Sequence, residues 1–192
     1  KVDLHLHFDG SLPYSVIPKL AEMSGVELDE SKMKEIFTVP ENCESLVDYL
    51  KCFDVPGQLL QTKETLSLAM ETLLKELYAQ NVLTVEVRFA PQLHKRNGLT
   101  GEEIVESVLE GQERALAQCE GMKAGTILCM MVNGETAENM ETVELAKKYL
   151  GKGVVCLDIA GPEGMIPMMG FKVFFDMAKK LDVPYIIHAG EC

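Results

Sequence analysis

His5 and His7 stand two apart in Lys1-Val2-Asp3-Leu4-His5-Leu6-His7-Phe8-Asp9-Gly10, where Val2, Leu4 and Leu6 alternate with Asp3, His5 and His7. A period of two marks a β-strand, whose residues i and i+2 share a face. The two imidazoles then lie side by side, at a reach suited to one metal ion. Asp9 follows just past the strand, beside a glycine that ends it. A metal pair and a hydrogen-bonded pair on an edge strand fit this stretch equally well. Far along the chain, His188-Ala189-Gly190-Glu191 adds a third imidazole. Three nitrogen ligands with one open position suit a catalytic zinc, which acidifies bound water to a pKa of about 7. Read alone, Glu191 is a solvated carboxylate or the cap of a following helix. Beside a histidine at a strand tip it reads as a proton donor or acceptor to a substrate. In Asp158-Ile159-Ala160-Gly161, the glycine marks either a close backbone approach to a ligand or a plain turn after a strand.

These residues need strands to hold them. Residues 82–89 alternate as a second strand, in which Glu86 and Arg88 share a face and are expected to pair with each other or with neighbours. Residues 125–132 form a continuous apolar run, as in a strand buried on both faces. Residues 153–159 and 183–188 read as the fourth and fifth strands. Helices are expected over residues 13–24, 58–80, 137–150 and 171–181, and over a segment opened by the capping box Thr100-Gly101-Glu102-Glu103. Between the first strand and the long helix, residues 29–57 read as short helical pieces separated by Pro40 and Pro56, with Leu46, Tyr49, Leu50 and Phe53 on one face. Insertions of that length often form lids. Repeated β–α alternation with apolar strands gives an α/β fold with a parallel sheet, a single domain over residues 1–192. Three of the four histidines fall at strand tips. The fourth, His94, reads as a surface residue of the loop after the second strand.

Composition narrows the function. Thirty acidic residues against eighteen Lys and Arg leave a net charge of −12, which argues against a nucleic-acid surface. No run approaches the ~18 apolar residues of a membrane span, so no membrane partner is expected. No signal-peptide pattern is visible, although a chain that starts without Met, directly on a strand, leaves room for a trimmed leader. The six cysteines have no C-x-x-C or zinc-finger spacing. Cys129 and Cys156 sit in apolar runs and read as core residues. A reducing cytoplasm is therefore expected.

Four motifs in order carry a resemblance: His5-Leu6-His7-Phe8-Asp9-Gly10, Val85-Glu86-Val87-Arg88-Phe89-Ala90-Pro91, Asp158-Ile159-Ala160-Gly161 and His188-Ala189-Gly190-Glu191. Together with the Phe53-Asp54 neighbourhood, they resemble the adenosine deaminase family of metal-dependent hydrolases over the whole length present. The resemblance implies a (β/α)8 TIM-type barrel, of which this chain holds about the first five β/α units. It implies one Zn2+ per site, with His5, His7 and His188 among its ligands, and Glu191 as the residue that protonates the purine ring nitrogen while water attacks C6. It further implies that Asp9 binds a ribose hydroxyl and that the Gly161 backbone donates to the purine's other edge. The related adenine deaminases carry Glu where this chain has Asp9, which tilts the expected substrate towards a purine nucleoside. The other zinc deaminase class uses H-x-E with P-C-x-x-C, and neither motif is here.

Two departures stand out. The family commonly has Arg where this chain has Met131, after Ile127-Leu128-Cys129-Met130. The chain also ends at Cys192, whereas such a barrel takes about 250 residues. The family's remaining strands carry a further histidine, an aspartate ligand and a neighbouring aspartate. The expected function is hydrolytic deamination of adenosine or deoxyadenosine to inosine or deoxyinosine and ammonia, with the fragment alone inactive. Deamination of adenine or of a modified purine nucleoside is the alternative within the same chemistry. A third reading is a non-catalytic fragment that binds purine or self-associates. Its open barrel edge would be a template for pairing with another chain or with the missing half.

Overall fold

The structure is a computed structural model that describes residues 1–190. Strands β1 (Val2–His7), β2 (Thr84–Phe89), β3 (Lys123–Met131) and β4 (Val154–Ala160) form one sheet in that order, with every neighbouring pair parallel. Parallel neighbours need crossovers. The helices that provide or accompany them are α1 (Ile17–Ser24), α2 (Met33–Phe37), α3 (Leu46–Leu50), α4 (Asp54–Leu59), α5 (Lys63–Ala79), α6 (Gly101–Leu116), α7 (Thr136–Tyr149) and α8 (Lys172–Lys180). Val85, Val87 and Phe89 of β2 join Leu66 and Met70 of α5, Ile104 and Val108 of α6 and Leu128 of β3 in one hydrophobic core. The alternate residues of β2, Glu86 and Arg88, therefore face the other side of the sheet, where the candidate site lies.

Several expected boundaries move, each for a local reason. The first helix starts at Ile17, not at residue 13, which puts Pro18 in its first turn, where a missing N–H breaks no helical bond. The helix expected over residues 58–80 is broken into α4 and α5. Thr62 takes an extended conformation and caps α5, accepting from the Thr65 N–H at 3.2 Å. Pro56 lies within α4 and does not separate two pieces. The capping box at Thr100 forms as expected, with Thr100 Oγ1 accepting from the Glu103 N–H (3.2 Å) and a Glu103 oxygen accepting from the Thr100 N–H (3.0 Å).

The fifth strand expected over residues 183–188 is not a regular strand. This segment runs beside β4 and makes three backbone bonds: Leu157 N–H to Pro184 O (2.9 Å), Ile186 N–H to Leu157 O (2.9 Å) and His188 N–H to Ile159 O (3.2 Å). The ladder is thin because Pro184 has no N–H to give, and because the Ile159 N–H donates to its neighbour's carboxylate, Asp158 Oδ1, at 2.8 Å. A single bridge, Leu157 to Tyr185, remains. The three bonds still carry His188 to the same end of the sheet as His7.

His94 is not on the surface, as its loop position suggested; it is fully buried. Its Nδ1–H donates to the Leu60 carbonyl at 2.8 Å, and its ring packs 5.7 Å from that of Phe89. The bond ties the β2–α6 loop to the α4–α5 break. Cys129 and Cys156 are buried as expected, and the five described cysteines are free thiols. Among the described residues no helix is long and apolar enough to cross a membrane.

Two outcomes follow for stability. A Cβ on Gly111 of α6 would stand 2.2 Å from the Ser67 carbonyl oxygen of α5. Gly111→Ala, which gains about 1 kcal/mol in an open helix, should here lower stability by about 1–3 kcal/mol in urea unfolding. An unchanged midpoint would disprove the close approach. Burial holds the His94 imidazole down at about 4, against an ordinary 6.5. A depressed histidine pKa stabilises the fold above its unfolded value, and that stability is lost as pH falls from 6.5 towards 4. Between pH 7 and pH 5 the wild type should therefore lose about 2 kcal/mol more than His94→Gln. Parallel losses in the two proteins would contradict this.

Candidate metal centre and substrate cavity

β1 presents His5 and His7 on one face, and the segment after α8 brings His188 between them. His188 Nε2 lies 3.0 Å from His5 Nε2 and 3.0 Å from His7 Nε2. All three ligand atoms fall within 4.8 Å of one another. A ring nitrogen carries either one proton or one in-plane lone pair, so His188 Nε2 can make one well-directed hydrogen bond, not the two its neighbours would require. Nitrogens bound to tetrahedral zinc at about 2.0–2.1 Å stand about 3.3 Å apart, close to what is seen here. The donor set therefore fits a zinc-like cation. Among the described residues no carboxylate joins it. Burial, then the neighbouring His188, Arg88 and His5, push His7 down to about 4. At neutral pH it is the uncharged imidazole, the form that ligates metal.

Beneath these rings lies a buried ion pair. Arg88 Nη1 donates to Asp158 Oδ2 at 2.6 Å, with both side chains at 1% exposure or less. Arg88 Nη2 donates to the Leu4 carbonyl of β1 at 2.7 Å. Of the two pairings expected for Arg88, with Glu86 or with a neighbour, the second is found, and the neighbour is on β4. Asp158 Oδ2 also lies 2.9 Å from His188 Nδ1, although off the line of the ring N–H, so that nitrogen has no well-aligned acceptor. Burial raises the Asp158 carboxyl, but His188 and Arg88 outweigh it and hold the group below the ordinary carboxylate value. A sequence signal for this partnership existed: one aspartate inside an otherwise apolar strand must find a charge or a donor.

A cavity of about 510 Å³ opens against the three histidines. Asp9, Gly161, Asn133, Met131, Cys129 and Arg96 line it, and Leu46, Tyr49, Leu50 and Phe53 form an apolar wall. The insertion read as a lid thus borders the site with the expected face. Asp9 is buried; burial raises its carboxyl to about 6, opposed by bonds from the Asp9 and Gly10 backbone N–H groups. Gly10 faces Phe53 so closely that a Cβ would stand 2.9 Å from Cε1 of that ring. Gly161 has φ +114°, a conformation that favours glycine, and lies in the turn after β4 while lining the cavity. The turn expected after the strand is thus present, with its glycine on the cavity wall. Met131 packs on Ala90, Cys129 and Ala160. Its backbone is held at both ends by Asn139, through N–H to Oδ1 (2.9 Å) and Nδ2 to O (2.9 Å). Sequence reasoning missed Asn133, Arg96 and Asn139, polar residues in loops or on a helix face with no pattern to mark them. Glu191 lies outside the described residues.

A model of the family described as Adenosine deaminase matches residues 1–192. The adenosine deaminase of Haemophilus ducreyi is 41% identical over 197 residues, covering 99% of this chain and 57% of that protein. That of Clostridium perfringens is 37% identical over 194 residues, covering 100% of this chain and 58% of its own length. The chain thus spans under three fifths of the curated relatives it matches. Among solved structures, Arabidopsis ADAL complexed with GMP superposes with a TM-score of 0.84 at 25% identity, covering 100% of this chain and 58% of that one. A Burkholderia ambifaria amidohydrolase with bound Zn superposes at 0.84 and 20% identity, covering 99% and 52%. The four parallel strands and their helices are accordingly part of a TIM-type barrel. The chain belongs to the adenosine deaminase family.

Proposed function

We propose that the protein bearing this chain is a zinc-dependent hydrolase that deaminates a purine nucleoside, adenosine or deoxyadenosine, to the 6-oxo product and ammonia, a step of purine salvage. The observation that carries the reading is the convergence of His5, His7 and His188 at one end of a cavity that also holds Asp9 and Gly161. The names of the relatives and the GMP-bound neighbour support a purine as the ligand. Asp9 supports a nucleoside, because its buried carboxylate lines the cavity and, beyond the backbone N–H groups it already meets, can accept from a further donor such as a ribose hydroxyl. The free thiols support a reducing, cytoplasmic setting.

The reaction replaces a C6–N bond with C6–O, taking up one water and releasing ammonia. Bound zinc would supply a Lewis acid that makes water a competent nucleophile near neutral pH. The chain's own groups do the rest. His7, uncharged at neutral pH, offers a lone pair. Asp9 accepts from the ribose, and the Gly161 backbone N–H donates to the base edge away from C6. Leu46, Tyr49, Leu50 and Phe53 cover the base and exclude bulk water. Glu191, next to Gly190 in sequence, is the proton carrier to the ring nitrogen in this reading. The carboxylate that completes the metal shell and the base that takes the water's proton come from residues beyond those seen here.

The full-length protein with zinc should convert adenosine to inosine, followed by the loss of adenosine absorbance. No turnover on adenosine or deoxyadenosine, with turnover of adenine or a modified nucleoside instead, would replace the substrate assignment. Chelation should abolish the activity and added zinc restore it. Residues 1–192 alone should show negligible turnover. Asp9→Ala should raise KM for adenosine about 10–100-fold, the effect of losing one hydrogen bond to a charged group, with a smaller change in kcat. A KM unchanged within twofold would remove Asp9 from ribose binding.

A further inference from the structure

We infer that Asp158, held in place by Arg88, is a positioning residue for His188, fixing that ring's tautomer so that Nε2 faces His5 and His7. The inference rests on the metal reading above. The Asp158 carboxylate is pinned at both oxygens. Oδ1 accepts from the Ile159 N–H at 2.8 Å, while Oδ2 accepts from Arg88 Nη1 at 2.6 Å and stands 2.9 Å from His188 Nδ1, off the line of the ring N–H but close enough for its charge to favour a proton there. A carboxylate so fixed favours the imidazole tautomer protonated at Nδ1, and that tautomer leaves the lone pair on Nε2. The nearest groups to that lone pair are the Nε2 atoms of His5 and His7, each at 3.0 Å. Carboxylate–imidazole–metal chains of this kind set ring orientation and raise ligand basicity.

Arg88 gives the arrangement its second function. Its Nη2 bonds Leu4 O, one residue before His5 on β1, while Nη1 bonds Asp158 on β4. One guanidinium therefore sets the two parts of the histidine cluster relative to each other: the pair on β1 and the single ring beside β4. It also neutralises Asp158, so that His188 need not be protonated to satisfy the carboxylate. A merely structural Asp158 would be a counter-ion for Arg88, with no bearing on the His188 tautomer.

Two measurements decide this. In the metal-free wild-type full chain, the ¹⁵N shifts of His188 should report the Nδ1–H tautomer; an Nε2–H tautomer would overturn the inference. In Asp158→Asn, the amide can turn its NH2 towards Nδ1 and favour the opposite tautomer. Zinc affinity, measured by competition with a chromophoric chelator, should fall about 10–100-fold, while the far-UV circular dichroism stays that of the wild type. Wild-type zinc affinity in Asp158→Asn would refute the positioning role and leave the metal reading standing. A wild-type protein that binds no zinc would instead overturn the metal reading and this inference with it. Should Asp158→Asn not fold, the wild-type tautomer still decides.

Discussion

The ion pair between Arg88 and Asp158 holds this half-barrel's chemistry in register. It sits under the histidines with almost no exposure, bridging β2 to β4 directly and reaching β1 through the Leu4 carbonyl. Burying two charges is expensive unless each finds full partners, and removing one alone typically costs about 3–5 kcal/mol. Here Asp158 meets Arg88, the Ile159 N–H, His188 and the Cys129 thiol, while Arg88 keeps Nε without a partner among the described residues. Apolar residues of equal volume often match such a pair in stability. What this pair adds is a polar tie between three strands directly beneath the histidines.

The outer side of the sheet obeys a different constraint. There the core is apolar and closely packed, and α5 and α6 approach until the Gly111 position touches the Ser67 carbonyl. Helices pack closely on the sheet's back, while its front carries the buried ion pair, the histidines and a small apolar cluster of Ala90, Cys129 and Ala160. The same division separates the packed apolar core from the histidines and the cavity. Between the two sides, His94 ties the loop after β2 to the chain break before α5 through one buried bond.

How much of this was legible in the sequence depended on distance along the chain. The parity of His5 and His7 and the capping box at Thr100 are local patterns, and both appear as read. The third histidine was legible as a strand tip, although its segment is only partly strand-like, because Pro184 and the diverted Ile159 N–H thin the ladder. The partner of Arg88 was legible only in kind: the lone aspartate of an apolar strand had to find a charge, but at seventy residues' distance nothing local matched it to Arg88, and Glu86, on the same strand face, was the nearer candidate. His94 misled for a related reason. A polar residue in a loop looks exposed unless the carbonyl that receives it, here Leu60, is known.

Gly10 follows the buried carboxylate of Asp9, and the Phe53 ring of the lid occupies the volume that a side chain at position 10 would fill. Phe53 also stands 6.2 Å from the His7 ring, edge to face. A single missing methyl group thus lets an aromatic ring pack directly against the end of the first strand. Gly10 and Phe53 both line the cavity beside Asp9 and the histidines, so a change at either one reshapes the wall around the buried carboxylate and the end of β1 together.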